Sequence, residues 1–497
     1  MQSSSSVTGP RHPIGIVDIG SNTVRLVVYD GLRRTPLPLF NEKATCALGA
    51  GLERTGRLNP AGVTLALSSV ERFVKLARAM GVERLDVLAT AACRDAADGP
   101  ALVAEIERRC DITVTLLAGE EEARRSAYGV LCAVPDADGL VCDVGGGSLE
   151  LVVVKEAESG LSTSVPLGML RLAEASGGER VKAAKLIDER LKDVAFFDDV
   201  RGKSLYAVGG SWRAVAQVCI EQANYPLHVL DNYTIPRAHA LDILGLVARQ
   251  SGRSLERLKN VSRRRAAYLP LAAQLLARLI ERAEPEHVVF SVYGMREGQF
   301  FLSLPPEKRG GDPLLVAATE VARSQGRFPE HARELMEWMA PLFPDEPPRL
   351  ARLRYAACLL GDTFWDEHPD YRAEQAFLRT LRLPFMGLDH RDRAGLALAV
   401  YYRYAGDGLP ELVRQATALL DDERVRRVRV IGAALRLAHT ISGGAPGLLG
   451  RTRLERGART LTLSVPSGDP VFAPAAFDRR LDNLGQELGL QAKVVTV

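Results

Sequence analysis

The chain has 497 residues, 46% of them apolar and 25% charged, with a formal net charge of +3. That length is too great for one core and calls for several domains of roughly 100–200 residues each. The near-neutral balance excludes a blanket polycation and leaves room for local basic patches facing an anionic ligand.

Residues 1–13 form a polar leader without an apolar core, expected to be disordered and unlike a signal peptide. Ile14–Asp18 and Val24–Tyr29 are β-rich runs joined by Gly-Ser-Asn-Thr, which predicts a hairpin. Asn59-Pro60 opens a helical pattern to about Met80, with Asn as N-cap and Pro at the first helical position. Leu85–Ala89 and Thr113–Leu117 read as strands, with a helix from about Pro100 to Cys110 between them. A helix follows from Glu120 to about Val130, and Leu140–Asp143 with Leu149–Val154 forms a second hairpin. Ser204–Val208, the turn Gly209-Gly210-Ser211, further helices and a strand at His287–Val292 complete an α/β alternation. Leu304–Pro313 has the composition of a linker. From Leu314 to about Thr440 the pattern is helical and rich in Arg, Ala and Leu. Ser442–Gly447 interrupts it, and the strand-like Thr460–Val465 marks a small α+β tail. The expected domains are therefore 14–135, 136–304, 312–441 and 448–497. The cysteines are scattered and form no C-x-x-C pair, which fits buried thiols in a reducing compartment. No apolar stretch approaches the roughly 20 residues that span a bilayer, so a cytoplasmic protein without a membrane partner is expected.

One phrase occurs twice. Asp18-Ile-Gly-Ser-Asn-Thr-Val-Arg-Leu and Asp143-Val-Gly-Gly-Gly-Ser-Leu-Glu-Leu match position by position. Glycines let backbone N–H groups approach a ligand, and Thr23 and Ser148 add hydroxyls, so each turn reads as an anion nest. A carboxylate beside a phosphate nest is unfavourable without a cation between them. Asp18 and Asp143 are thus candidate ligands of a divalent metal, with an Asx-turn as the alternative for each. Arg25 in the first copy stands where Glu150 stands in the second. Gly119-Glu120-Glu121-Glu122-Ala-Arg supplies further carboxylates at a helix start, where the dipole alone would favour them. Glu121 together with Glu150 suits water attack on a phosphoryl group, which needs a base and a neutralising cation. Arg94, in Thr90-Ala-Ala-Cys-Arg-Asp, has the planar fork of a phosphate clamp.

These segments, with Val208-Gly-Gly-Ser and Gly294-Met-Arg-Glu-Gly298, keep one order across residues 14 to 300. In that set the chain resembles the exopolyphosphatase/guanosine pentaphosphate phosphohydrolase family of the actin, chaperone and sugar-kinase superfamily. The resemblance implies an α/β fold of two ribonuclease-H-like (actin-like) domains flanking a cleft, then a helical HD-like domain. It implies Glu121 as catalytic base. Asp143 and Glu150, with Asp18, would hold magnesium, or manganese in its place, or the attacking water. Ser21, Asn22, Thr23 and Arg94 would contact phosphate from one side. Gly145, Gly146, Gly147 and Ser148 would cradle it from the other, and Gly209, Gly210 and Ser211 would continue the track. It also implies a homodimer.

The helical half has no His-Asp dipeptide, so no second metal site is expected, and His368, His390 and His439 read as structural or solvated. Arg263-Arg264-Arg265 and the set Arg424, Arg426, Arg427 and Arg429 are candidate polyanion contacts, with solvated helix faces as the alternative. No aromatic-interleaved basic motif points to nucleic acid. The favoured reading is an exopolyphosphatase that removes the terminal phosphate of linear polyphosphate. Guanosine pentaphosphate hydrolysis, phosphoryl transfer to an acceptor, and a nucleotide-dependent binding module of the actin type are the alternatives. Walker A, H-E-x-x-H and G-x-S-x-G motifs are absent.

Overall fold

A computed structural model describes residues 12–250, 266–405 and 410–497. Most of the leader and the Arg263-Arg264-Arg265 run lie outside the described residues. The chain divides into two compact units, residues 1–310 and 311–497.

The first unit contains two sheets built to one plan. Strands β1 (Ile14–Ile19), β2 (Thr23–Tyr29), β3 (Pro38–Thr45), β4 (Arg84–Ala89) and β5 (Val114–Leu116) lie in the order β3-β2-β1-β4-β5. Strands β6 (Gly139–Val144), β7 (Leu149–Lys155), β8 (Glu158–Val165), β9 (Ser204–Val208), β10 (Tyr233–Pro236) and β11 (His287–Ser291) lie in the order β10-β11-β9-β6-β7-β8. In each, the first member of an antiparallel three-strand meander pairs in parallel with a further strand, β4 or β9, which in turn pairs in parallel with the next, β5 or β11; β10 closes the second sheet antiparallel. The central β1 and β6 are covered on both faces and are almost wholly apolar, as buried parallel pairing requires. Edge strands β3 and β8 are polar and half exposed, which escaped the hydrophobic pattern.

Register carries the sequence duplication into space. Asp18 pairs with Arg25 across β1–β2, and Asp143 pairs with Glu150 across β6–β7. The two copies thus end equivalent strands in equivalent hairpins. Helix α1 (Pro60–Ala79) packs Val70, Phe73 and Val74 into the core of the first sheet. Asn59 makes no side-chain cap there; its amide donates to the Ala47 carbonyl at 3.2 Å instead.

Helix α2 (Gly119–Ala133) joins the halves, and α3 (Met169–Ser176), α4 (Gly210–Gln222) and α5 (Leu269–Ala283) belong to the second. Helix α6 (Met295–Ser303) follows the second sheet in sequence, but its side chains meet the first half. The Phe300 ring lies 4.7 Å from that of Tyr29, and Gln299 donates to Asp86 at 2.8 Å. The domain expected over 136–304 therefore gives its last helix to its neighbour. A Cβ on Gly298 would stand 1.7 Å from the Arg125 carbonyl, so glycine there lets α6 lie directly against α2.

The second unit is helical, with a three-stranded sheet of β12 (Arg453–Arg456), β13 (Thr460–Val465) and β14 (Gln491–Thr496) in its tail. The tail expected as a separate domain over 448–497 falls within the same compact unit as the helices. Among the described residues no helix is long and apolar enough to cross a membrane, and the seven cysteines are free and buried.

Candidate active site

The two glycine turns touch. A Cβ on Gly147 would lie 2.6 Å from Ser21 Oγ, and one on Gly146 would lie 3.3 Å from the Asn22 nitrogen. The carbonyls of both turns are tied back into the fold. Gly145 O accepts from Met169 N, and Gly146 O accepts from the N–H groups of Leu170 and Arg171 in α3. Ser21 O accepts from Gly49 N, and Asn22 O accepts from Cys46 and Ala47. In a trans peptide the N–H points opposite to the preceding carbonyl. The amides of Gly146, Gly147, Asn22 and Thr23 are therefore turned away from the elements that hold the carbonyls. That is the arrangement an anion nest needs. A third element adds to it. Gly209 has φ +115°, a conformation that favours glycine, and its Cβ would meet the Val144 carbonyl at 2.4 Å. It opens α4, so Gly210 and Ser211 lie at a helix N-terminus.

Four carboxyl groups converge at the strand ends. Glu150 is 2% exposed; it accepts from Ser164 Oγ at 3.0 Å, and Ser148 also hydrogen-bonds to it. Asp143 accepts from Ser126 Oγ at 2.5 Å. Asp18 is ion-paired with Arg296 of α6 at 3.1 Å. The fourth is Glu122, whose Oε2 lies 3.2 Å from Arg94 Nη1, while the same nitrogen donates to Leu117 O at 3.0 Å.

Burial is the chief cause of the electrostatics. It raises Asp18 and Asp143 above the usual carboxylate range, offset in part by Arg296 near Asp18 and by Ser126 on Asp143. Burial pushes Glu122 up to about 7; Arg94 opposes the rise, and Asp18 and Asp143 add to it. Glu150 lies well above its ordinary value through burial and the charges of Glu122 and Asp143. Such a concentration of raised carboxyls marks a functional site more often than a structural one.

Glu121 is not part of this cluster. Its side chain is exposed and accepts the Ala118 N–H at 3.2 Å, capping α2. The reason is helical phase: Glu122, Ser126 and Gly129 share the buried face of α2, and Glu121 lies one step around it. The expected clamp Arg94 does reach the cluster, where it holds Glu122 and also lies 3.4 Å from Asp95. Arg296 provides the cation beside Asp18 that was expected of a metal. Ser126, Ser164 and Arg296 were not singled out beforehand. Arg296 lies within the quoted Gly294–Gly298 motif, and a helical wheel would have found Ser126.

The helical unit has a smaller pocket lined by His331, Cys358, Asp362 and His439. His331 contacts Glu334 at 2.9 Å and Ser442 at 3.1 Å, and His439 Nδ1 contacts the Leu435 carbonyl at 2.8 Å. Asp362 is held by Arg327. His368 is exposed and caps a helix through Asp370 N, and His390 is buried. The arginine set does not form one free patch. Arg427 pairs with Glu346, Arg424 with Asp392 and Asp421, and Arg429 lies over Tyr402, while Arg426 is exposed. Among the described residues no group of three or more His, Cys, Asp or Glu is placed to hold a metal ion alone.

Known proteins resemble the chain in sequence and fold. The model of the Ppx/GppA phosphatase family matches residues 27–307, and that of the exopolyphosphatase C-terminal region matches residues 314–495. Exopolyphosphatase 1 of Mycobacterium bovis is 32% identical over 162 residues, which are 32% of this chain and 47% of that relative. That match spans about half the relative's length. The guanosine-5'-triphosphate,3'-diphosphate pyrophosphatase of Aeromonas hydrophila is 22% identical over 481 residues, 91% of this chain and 92% of the relative. The crystal structure of an exopolyphosphatase from Cytophaga hutchinsonii aligns with a TM-score of 0.53 at 23% identity, over 57% of this chain and 96% of that one, a likeness of fold.

Proposed function

The chain belongs to the Ppx/GppA phosphatase family, and from that premise we propose that it is a cytoplasmic hydrolase that removes the terminal phosphate of linear polyphosphate. One observation carries the reading: four carboxyls, Glu150 buried and the others partly so, meet where two outward-turned glycine nests touch. Nests hold the phosphate oxygens, and carboxyls handle the water.

The roles follow from the environments. Glu150 is raised well above its ordinary value by burial, which favours its protonated form. Glu122, at about 7, is poised to take one. Arg94 fixes one Glu122 oxygen, and the other is free to orient a water. The water oxygen bonds to the terminal phosphorus as the bridging P–O bond breaks, and its proton passes to Glu122. The N–H groups of Gly146, Gly147, Asn22 and Thr23, with the Ser148 and Thr23 hydroxyls, take up the developing charge.

The donor set fits magnesium or manganese. Asp143 and Glu150 offer hard carboxylate oxygens, and such an ion needs only one or two protein carboxylates beside phosphate and water. Bound there, it would neutralise charge on the transferring phosphoryl group.

Guanosine pentaphosphate is the second reading, favoured by the match to the Aeromonas relative along 91% of this chain. Comparing kcat/KM on long-chain polyphosphate and on guanosine pentaphosphate under one set of conditions tests the proposal. Polyphosphate should be preferred. A higher value on the nucleotide moves the assignment to the second reading, and phosphate release from neither refutes both.

A further inference from the structure

An alternating chain of charges crosses the cleft from its surface to the acid cluster. Arg171, on α3 of the second half, is 12% exposed in its side chain. Its Nε lies 3.0 Å from Glu53 and its Nη2 lies 2.8 Å from Asp95, both in the first half. Asp95 Oδ1 lies 3.4 Å from Arg94, and Arg94 reaches Glu122. The order is therefore Glu53, Arg171, Asp95, Arg94, Glu122, with signs alternating throughout. The backbone N–H of Arg171 also donates to Gly146 O in the second nest. One residue thus ties the nest of one half to the acid-holding arginine of the other. A second contact runs beside it, Glu174 accepting the Gly51 N–H at 2.8 Å.

Arg94 has two acidic neighbours and one guanidinium. With Asp95 satisfied by Arg171, the shorter contact of Arg94 is to Glu122. Without Arg171, Asp95 would be a half-exposed carboxylate whose nearest remaining cation is Arg94.

We propose that Arg171 is a positioning residue for the hydrolysis: by bridging the cleft to Asp95 it leaves Arg94 on Glu122, so that the water-orienting carboxylate is set only while the two halves are joined. The inference rests on the reading of Glu122 as that carboxylate. It gives Arg171 a part in turnover that cleft closure alone would not.

The test is an Arg171→Gln variant and its Asp95→Asn double, each analysed by crystallography and by steady-state kinetics on polyphosphate. Arg171→Gln should show Arg94 turned onto Asp95, with kcat reduced on the order of ten-fold and KM little changed. Adding Asp95→Asn removes the competing carboxylate, so Arg94 should return to Glu122 and kcat should recover most of the loss. If Arg171 served only as glue between the halves, the second substitution would recover nothing, because the cross-cleft contact of Asp95 is already lost in Arg171→Gln. Arg94 remaining on Glu122 in Arg171→Gln, or no recovery in the double variant, overturns the proposal. The crystal readout does not depend on activity. An inactive wild-type protein would count against the proposed function, while the position of Arg94 still decides the inference. Should Arg171→Gln fail to fold, Arg171→Met serves, since it keeps the apolar stem and removes the charge that satisfies Asp95; unchanged kcat and unmoved Arg94 there refute it equally.

Discussion

The α/β cleft and the helical unit both bury charge, and they do so in opposite proportions. In the cleft four carboxyls, Asp18, Asp143, Glu122 and Glu150, meet two ion-paired arginines, Arg94 and Arg296, with Arg25 and Arg213 also acting on Asp18 and Asp143. In the helical unit one carboxylate, Glu346, lies between two arginines, Arg354 and Arg427, with Arg354 held at 2.6 Å and also bonded to the Met336 carbonyl. A buried charge with matched partners holds a fold in one arrangement. Carboxyls in excess of their partners cost stability and persist where chemistry uses them. The pocket of His331, Asp362 and His439 lies nearer the matched kind, since Glu334, Ser442, Arg327 and the Leu435 carbonyl engage all of its side chains, with only His439 Nε2 left without a hydrogen bond among them.

The contrast can be broken at either end. Glu346→Gln should have the largest effect on folding. It leaves two buried guanidiniums without their counter-charge and should cost about 3–5 kcal/mol, read by denaturant unfolding of the full chain. A loss below about 1 kcal/mol would remove the distinction between the regions.

Glu122→Gln should do the reverse in metal-free buffer. The folded pKa of Glu122, about 7, lies above its ordinary 4.5. The folded state then binds more protons between those values, so the stability linked to this group is full below about 4.5 and is lost as pH rises to about 7. The variant lacks that loss. Its melting temperature relative to wild type should rise from pH 5 to pH 8, by an amount equivalent to a few kcal/mol at most. A constant difference across that range would show that Glu122 is not held in its acid form.

Gly168→Ala probes the nest alone. Its Cβ would stand 2.4 Å from the backbone of Gly146 and Gly147, so either the turn or α3 must move. About 1–3 kcal/mol of stability should be lost, with KM for polyphosphate rising as the turn shifts. Unchanged KM would separate the turn from substrate binding.

Much of this was legible in the chain. The doubled Asp-Gly phrase identified both hairpins, and register makes its halves equivalent, with Arg25 and Glu150 at matching positions. Period and apolar runs located the central strands. They missed β3 and β8 because edge strands exposed to solvent carry Glu, Lys, Ser and Thr where buried ones carry Val and Ile. The resemblance named Glu121 as the base, and composition alone does not separate Glu120, Glu121 and Glu122. Helical phase does, since Glu122 stands in line with Ser126 and Gly129 on the packed face of the helix while Glu121 is turned to solvent. The pairing of Arg296 with Asp18 spans 278 positions and leaves no local trace.

The central claim is that the excess acid of the cleft acts through Glu122. Turnover of Glu122→Gln and Glu121→Gln on long polyphosphate, at saturating substrate and one metal concentration, tests it most directly. Glu122→Gln should lose roughly 10²–10⁴-fold in kcat while still binding substrate, and Glu121→Gln should stay within about three-fold of wild type, as an exposed cap would. Equal losses in both, or the larger loss in Glu121→Gln, would contradict the account.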